Sequence, residues 1–129
     1  MSVLAIAATT LLTGGAGADE SRDFYKGKDI RLIVGYAPGG GYDTYARLIA
    51  RHFSPHIPSR PSIVIQNMPG AGSLRAATHV YSAAAQDGTI IGAIDSALPL
   101  MPLLDSKASG FSPIKAGWLP SPSSHGAVL

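Results

Sequence analysis

Cysteine is absent from this chain of 129 residues, and charged side chains are sparse. Without cysteine there can be no disulfide, no thiolate metal site and no cysteine nucleophile. Ten Lys and Arg residues against eight Asp and Glu residues give a formal charge of +2, and these charges are dispersed along the chain. No basic run marks a nucleic-acid-binding arm, so we expect no nucleic acid partner. The length predicts one small domain rather than two large ones.

Signatures of catalysis and of nucleotide binding are also missing. The chain has no Gly-x-x-x-x-Gly-Lys-Ser/Thr, no Gly-x-Gly-x-x-Gly after the first predicted strand and no Gly-x-Ser-x-Gly. No acid–base pair or nucleophile–base pair stands out. The histidines do not have the spacing of metal ligands; they are His52, His56, His79 and His125. We therefore predict no catalytic residues, no metal, no cofactor and no enzymatic activity.

The N-terminal segment predicts export. Residues 3–12 form an apolar run of signal-peptide length that is short for a membrane span. Ala16 and Ala18 place small residues at the −3 and −1 positions of a cleavage site, and Asp19 would begin the mature chain. A basic n-region is missing, which indicates either an upstream start or a partial chain. We predict a signal peptide over residues 1–18 and a periplasmic location; the alternative is a buried apolar N-terminal helix.

One arrangement occurs twice in the chain: an apolar strand, a Pro-Gly-rich loop and an amphipathic helix. The predicted elements are a polar extended lead-in over 19–29, a strand over 30–36, a helix over 43–53, a strand over 62–67, a helix to about Ala84, a third strand over 89–94, a short helix or turns over 98–104 and a short strand over 115–119. Alternating strands and helices with short connections predict an α/β fold with a mainly parallel sheet. We assign residues 19–119 to this lobe and residues 120–129 to an irregular tail.

The two glycine-rich loops predict an anion-binding crevice. Parallel strands bind ligands beyond their carboxyl ends, where both loops would lie. Loop and helix-start N–H groups are neutral donors, and a carboxylate can accept several of them. The alternative is that the glycines only permit tight turns. The candidate ligand-binding residues are Pro38, Gly39, Gly40, Gly41, Tyr42 and Asp43 in the first loop, Gly70, Ala71, Gly72 and Ser73 in the second, and Asp95 and Ser96 after the third strand.

Some of these side chains have two interpretations. Asp43 is a candidate N-cap of the first helix and also a candidate hydrogen-bonding group for the ligand. Tyr42 either lines the crevice or is a surface aromatic. Asp95 and Ser96 either contact the ligand or form an ordinary turn. Asn67 is predicted to brace the second loop through its side chain rather than to touch the ligand.

Three motifs in this order resemble a known family. They are Tyr36-Ala-Pro-Gly-Gly-Gly-Tyr-Asp43, Val64-Ile-Gln-Asn-Met-Pro-Gly-Ala-Gly-Ser73 and Asp87-Gly-Thr-Ile-Ile91. The stretch 24–104 is similar to the extracytoplasmic solute receptors of tripartite tricarboxylate transporters, the Bug or TctC-type proteins. The resemblance implies a type II periplasmic-binding-protein fold with two α/β lobes. It also implies that the two loops bind one carboxylate of a di- or tricarboxylate, partly through ordered water, before a membrane permease receives the ligand.

Members of that family are much longer than this chain. We therefore expect the N-terminal portion of such a receptor, with part of the first lobe, which would bind a small carboxylate weakly or not at all on its own. Unpaired edge strands of an incomplete sheet would favour self-association. Two other interpretations stay open: a phosphate- or nucleotide-binding α/β enzyme domain, and a non-functional gene fragment.

Overall fold

The computed structural model describes residues 23–104 and 110–119. Its strands and helices are β1 (Ile30–Val34), α1 (Gly41–Phe53), β2 (Ile63–Asn67), α2 (Leu74–Thr78), β3 (Ile90–Ala93) and α3 (Met101–Leu104). Short 3₁₀ turns cover Ser54–His56, Ala71–Ser73 and Leu98–Leu100, and a π-helical turn covers His79–Ala83. The predicted signal peptide over 1–18 and the predicted tail over 120–129 lie outside the described residues.

The three strands form one parallel sheet in the order β2-β1-β3. Ile30 of β1 lies opposite Ile63 of β2, and Arg31 of β1 lies opposite Ile90 of β3. Parallel neighbours need a long connection between them, and α1 and the α2 segment supply it. The predicted α/β class with a parallel sheet is confirmed.

The central strand β1 is covered on both faces, as its unbroken apolar run predicts. Ile30, Ile33 and Val34 are each 1% exposed or less. Leu32 and Val34 pack against Ala46 of α1 on one face. A second apolar cluster is built around Ala77, Leu98 and Phe111. Burial from two sides makes β1 the element on which the other layers rest.

Two local predictions are wrong. Residues 115–119 are not a strand, because Lys115 donates its N–H to the Ser112 carbonyl (3.2 Å) and so closes a turn. The Trp118 indole N–H then donates to the Pro113 carbonyl at 2.8 Å. The lead-in is not extended where it is described: residues 23–27 form a helical turn, in which the Lys26 N–H donates to the Asp23 carbonyl (3.1 Å).

The second predicted helix is also less regular than its pattern indicates. The α-helix α2 ends at Thr78, and a π-helical turn continues to Ala83. Ser82 donates its hydroxyl to the Thr78 carbonyl at 2.7 Å, so a side chain bonds to the backbone within this turn. Within residues 23–104 and 110–119, every helix falls short of the length and apolarity needed to cross a bilayer.

The burial of β1 can be tested by comparing a valine-to-alanine substitution in β1 with the same substitution in β2. Val34→Ala removes two methyl groups from a fully buried site, so we expect the free energy of unfolding to fall by about 2 kcal/mol in urea denaturation. Val64→Ala on the edge strand β2 is the matched control. Val64 is 47% exposed, and its loss should be less than about 1 kcal/mol. Equal losses would contradict the assignment of β1 as the core strand.

Candidate functional site

The loops after all three strands meet at one edge of the sheet. Main-chain pairing continues up to the point where the loops begin. The Met68 N–H donates to the Val34 carbonyl at 2.7 Å, and the Gly35 N–H donates to the Ala93 carbonyl at 3.0 Å. Because β1 lies between β2 and β3, the two glycine-rich loops leave the sheet side by side, as predicted. The loop after β3 closes the cluster on its other flank.

The first loop passes directly into α1. Gly39 has a φ of +85°, a conformation that glycine adopts without a steric penalty. Gly40 is the N-cap and α1 begins at Gly41, so the predicted N-cap role of Asp43 is wrong. Asp43 lies at the third helical position and accepts a hydrogen bond from the Gly39 N–H at 2.9 Å. Its carboxylate therefore reaches back over the start of the helix to the residue that precedes the N-cap.

The Asp43 side chain links the two glycine-rich loops. It is buried, and it accepts hydrogen bonds from Arg47 Nε at 2.9 Å and Arg47 Nη2 at 3.0 Å. Asn67 Nδ2 donates to the same carboxylate and to the Tyr36 carbonyl, both at 2.9 Å. The predicted bracing of the second loop by Asn67 is wrong in its target, because both side-chain hydrogen bonds go to the first loop, at Tyr36 and Asp43. The Arg47 hydrogen bonds, followed by those of Gly39 and Asn67, hold the pKa of the Asp43 carboxyl well below its usual range.

The second loop has an uncommon backbone. Gly70, Ala71, Gly72 and Ser73 all have positive φ, at 139°, 49°, 56° and 74°. Ala71 and Ser73 pay a steric cost in this left-handed region that glycine would not. Ser73 is only 1% exposed, which shows that tertiary contacts hold the loop in this form.

Gly35, at the end of β1, leaves the space that the Ser73 side chain fills. A Cβ atom on residue 35 would lie 1.7 Å from Ser73 Oγ and 2.6 Å from Ser73 Cβ, so only glycine fits there. Sequence reasoning missed this residue. The available signal was a glycine directly after a buried apolar strand, where close backbone approach is common.

Two tyrosines connect the first loop to the loop after β3. The rings of Tyr36 and Tyr42 stack with centroids 4.6 Å apart and planes 20° from parallel. Tyr36 donates its hydroxyl hydrogen bond to Asp95 Oδ2, and the Ser96 N–H donates to the Tyr42 hydroxyl at 3.3 Å. The hydrogen bond to Asp95, together with burial and the nearby negative charge, raises the pKa of Tyr36 to about 12. Tyr36 and Arg47 were not among the predicted site residues.

The structure brings all twelve predicted site residues to this edge of the sheet and divides them by exposure. Asp43 and Ser73 are buried, Tyr42 and Asp95 are half-buried, and the exposed ones are Pro38, Gly39, Gly40, Gly41, Gly70, Ala71, Gly72 and Ser96. The exposed surface of both loops is therefore mostly backbone. In the first turn of α1 the N–H groups have no acceptor within the helix. Such a surface offers neutral donors to an anion, while the carboxylates point into the protein.

Because Gly35 lies so close to Ser73, a methyl group added at residue 35 should destabilise the fold. Gly35→Ala should displace Ser73 and lower the free energy of unfolding by roughly 1–3 kcal/mol, measured by urea denaturation. Gly117→Ala is the control, since nothing lies within 4 Å of the added Cβ there. Equal stability of Gly35→Ala and Gly117→Ala would contradict the close approach of Gly35 to the Ser73 side chain.

The lowered pKa of Asp43 predicts how its substitution depends on pH. A carboxyl whose pKa is lower in the folded chain stabilises the fold above its unfolded value, here 3.8, and less as the pH falls below it. Asp43→Asn should therefore be less stable than the parent chain at pH 7, and the difference should narrow below pH 4. Denaturation measured across this range tests the linkage. A difference that stayed constant down to pH 2 would contradict it.

Comparisons with known proteins agree with this arrangement. No protein-family model matches the chain. Protein BugT of Bordetella pertussis is 33% identical over 110 residues, which is 81% of this chain and 33% of that protein. The "UPF0065 protein in gbd 5'region" of Cupriavidus necator is 32% identical over 112 residues, or 85% of this chain and 33% of that protein.

A solved structure described as a periplasmic transporter superposes with a TM-score of 0.60 at 33% identity, over 70% of this chain and 30% of that one. The chain thus spans about a third of the length of the curated relatives it matches. Sequence and fold point the same way, and the chain belongs to the Bug, or TctC-type, family.

Proposed function

We propose that this chain is the carboxylate-receiving wall of a periplasmic solute receptor that binds its ligand without transforming it. The observation that carries the proposal is the pair of exposed glycine-rich loops, held side by side by the Asp43–Asn67 link. The similarity to a solved structure described as a periplasmic transporter supports a transport role over an enzymatic one. We further propose that residues 1–18 direct export and that a membrane permease receives the solute.

The proposed ligand contacts are mainly backbone N–H groups. The Gly39 N–H is occupied by Asp43, so we assign donation to the N–H groups of Gly40, Gly41 and Tyr42. Residues 70–72 present the second group of donors. A carboxylate is an acceptor with two oxygens, and charge-assisted hydrogen bonds from neutral donors hold it without burying a lysine or arginine. Asp43 and Ser73 are buried, so in this proposal they position the loops.

The Tyr42 hydroxyl is a further proposed ligand contact. Its oxygen accepts from the Ser96 N–H, so its own proton remains available to donate. Stacking on Tyr36 fixes the direction of the ring. Because the matched region is a third of each relative, we propose that the facing wall of the crevice belongs to the other two thirds of such receptors. A ligand resting on one wall alone keeps its far side in water and binds weakly.

An NMR titration of the ¹⁵N-labelled full chain tests this function. Citrate and succinate should shift the amide resonances of residues 40–42 and 70–73 most. The apparent Kd should be roughly 1 mM, which corresponds to a binding free energy of about −4 kcal/mol. Uncharged glycerol is the control. Stronger binding of inorganic phosphate would favour a phosphate-binding protein instead. Shifts confined to other surfaces would contradict the site, and micromolar citrate affinity would contradict the one-wall arrangement.

A matched pair of variants isolates one donor. Gly41 is the first residue of α1, a position at which helices tolerate proline. Gly40 has an extended backbone, which is the conformation preferred by a residue that precedes proline. Gly41→Pro removes the N–H, whereas Gly41→Ala keeps it and adds a methyl group that meets nothing within 4 Å. We expect the proline variant to bind citrate about tenfold more weakly than the alanine variant, because it loses a charge-assisted hydrogen bond. Equal binding would remove this N–H from the site.

A further inference from the structure

Asp95 touches all three loops at once. Its carboxylate accepts from the Tyr36 hydroxyl at the end of β1. Its own N–H donates to Ser73 Oγ in the second loop at 3.2 Å. Its other carboxylate oxygen accepts from the Ala97 N–H at 2.7 Å, and this bond shapes the loop after β3. The Asp95 side chain is thus committed to the protein's own donors on both oxygens.

This junction lies on the opposite flank of the loops from the Asp43–Asn67 link. On the β2 side, Asp43 and Asn67 join the first loop to the second. On the β3 side, the path runs from Tyr36 through Asp95 to Ser73. Ser73 is the last residue of the left-handed run, so its position sets where the amides of that run point. The neighbouring bond from the Ser96 N–H to the Tyr42 hydroxyl depends on the same loop.

The geometry points to Tyr36 and Asp95 as a positioning pair that orients the second loop and the Tyr42 hydroxyl for ligand, with Asp95 serving the protein rather than the solute. This inference rests on the proposed function and refines the role given to Asp95. Tyr36 is half-buried and stacked on Tyr42, so its ring direction is set before any ligand arrives. The raised pKa of Tyr36, about 12, agrees with a hydroxyl that donates to a carboxylate.

Tyr36→Phe tests the pair, because it removes only the hydroxyl and keeps the stacked ring. Tyr25→Phe is the matched control: Tyr25 donates its hydroxyl to the Gly88 carbonyl at 3.2 Å, away from the three loops. In the ligand-free chain, hydrogen exchange at the Asp95 and Ser96 amides should accelerate roughly threefold to tenfold in Tyr36→Phe and stay unchanged in Tyr25→Phe. Equal exchange in the two variants would overturn the inference.

A spectroscopic titration of the tyrosines distinguishes a specific Tyr36–Asp95 hydrogen bond from a general effect of packing. In the parent chain one tyrosine should titrate near pH 12, and Asp95→Asn should move it toward the ordinary value of 10.0. An unchanged titration would show that Asp95 is not the partner of Tyr36.

The double variant Tyr36→Phe with Asp95→Asn should accelerate hydrogen exchange at the Ser96 amide by less than the product of the two single effects, because both substitutions remove the same hydrogen bond.

Citrate binding then links positioning to function. Tyr36→Phe should weaken citrate binding roughly threefold by NMR titration, while Tyr25→Phe binds as the parent chain does. If the parent binds citrate and Tyr36→Phe binds equally well, the positioning role is wrong. If the parent shows no citrate binding but exchange accelerates in Tyr36→Phe alone, the pair does orient the loops and the carboxylate function is what fails.

Discussion

The site depends on one buried carboxylate. Asp43 accepts hydrogen bonds from Gly39, Arg47 and Asn67, which come from the first loop, from α1 and from the end of β2. A buried charge is costly unless donors surround it, so removing one donor would disturb the others. This requirement makes the two glycine-rich loops one unit. Their spacing is set inside the protein, before any ligand is present.

The central strand gives that unit a rigid base. β1 lies between its two neighbours, and its buried side chains leave it no alternative register. At its end Gly35 admits Ser73, and Ser73 in turn accepts from the Asp95 N–H. Loops held at several points lose little further freedom when a ligand binds, which preserves affinity. A strained left-handed run is tolerable only because these contacts hold it in place.

The division of labour between backbone and side chains suits a receptor. The carboxylates of the site bond to groups of the protein itself: exposed Arg47 pairs with buried Asp43, and Tyr36 donates to Asp95. The exposed surface of the loops is backbone, whose donors are neutral and fixed in direction. The Bug-family relatives align with this chain over about a third of their own length.

Local patterns were enough to predict the parallel sheet and the twelve residues at its edge. Apolar runs and glycine-rich loops act over a few residues, and strand order then brings the loops together. The predicted strand over 115–119 failed because a turn at Ser112 and the Trp118 indole bond outweighed its apolar composition. The sequence by itself determined which segments meet at the carboxyl edge of the sheet. Only the tertiary structure decided that Asp43 faces inward and that Tyr36 binds Asp95, because their partners Asn67 and Asp95 lie 24 and 59 residues away along the chain.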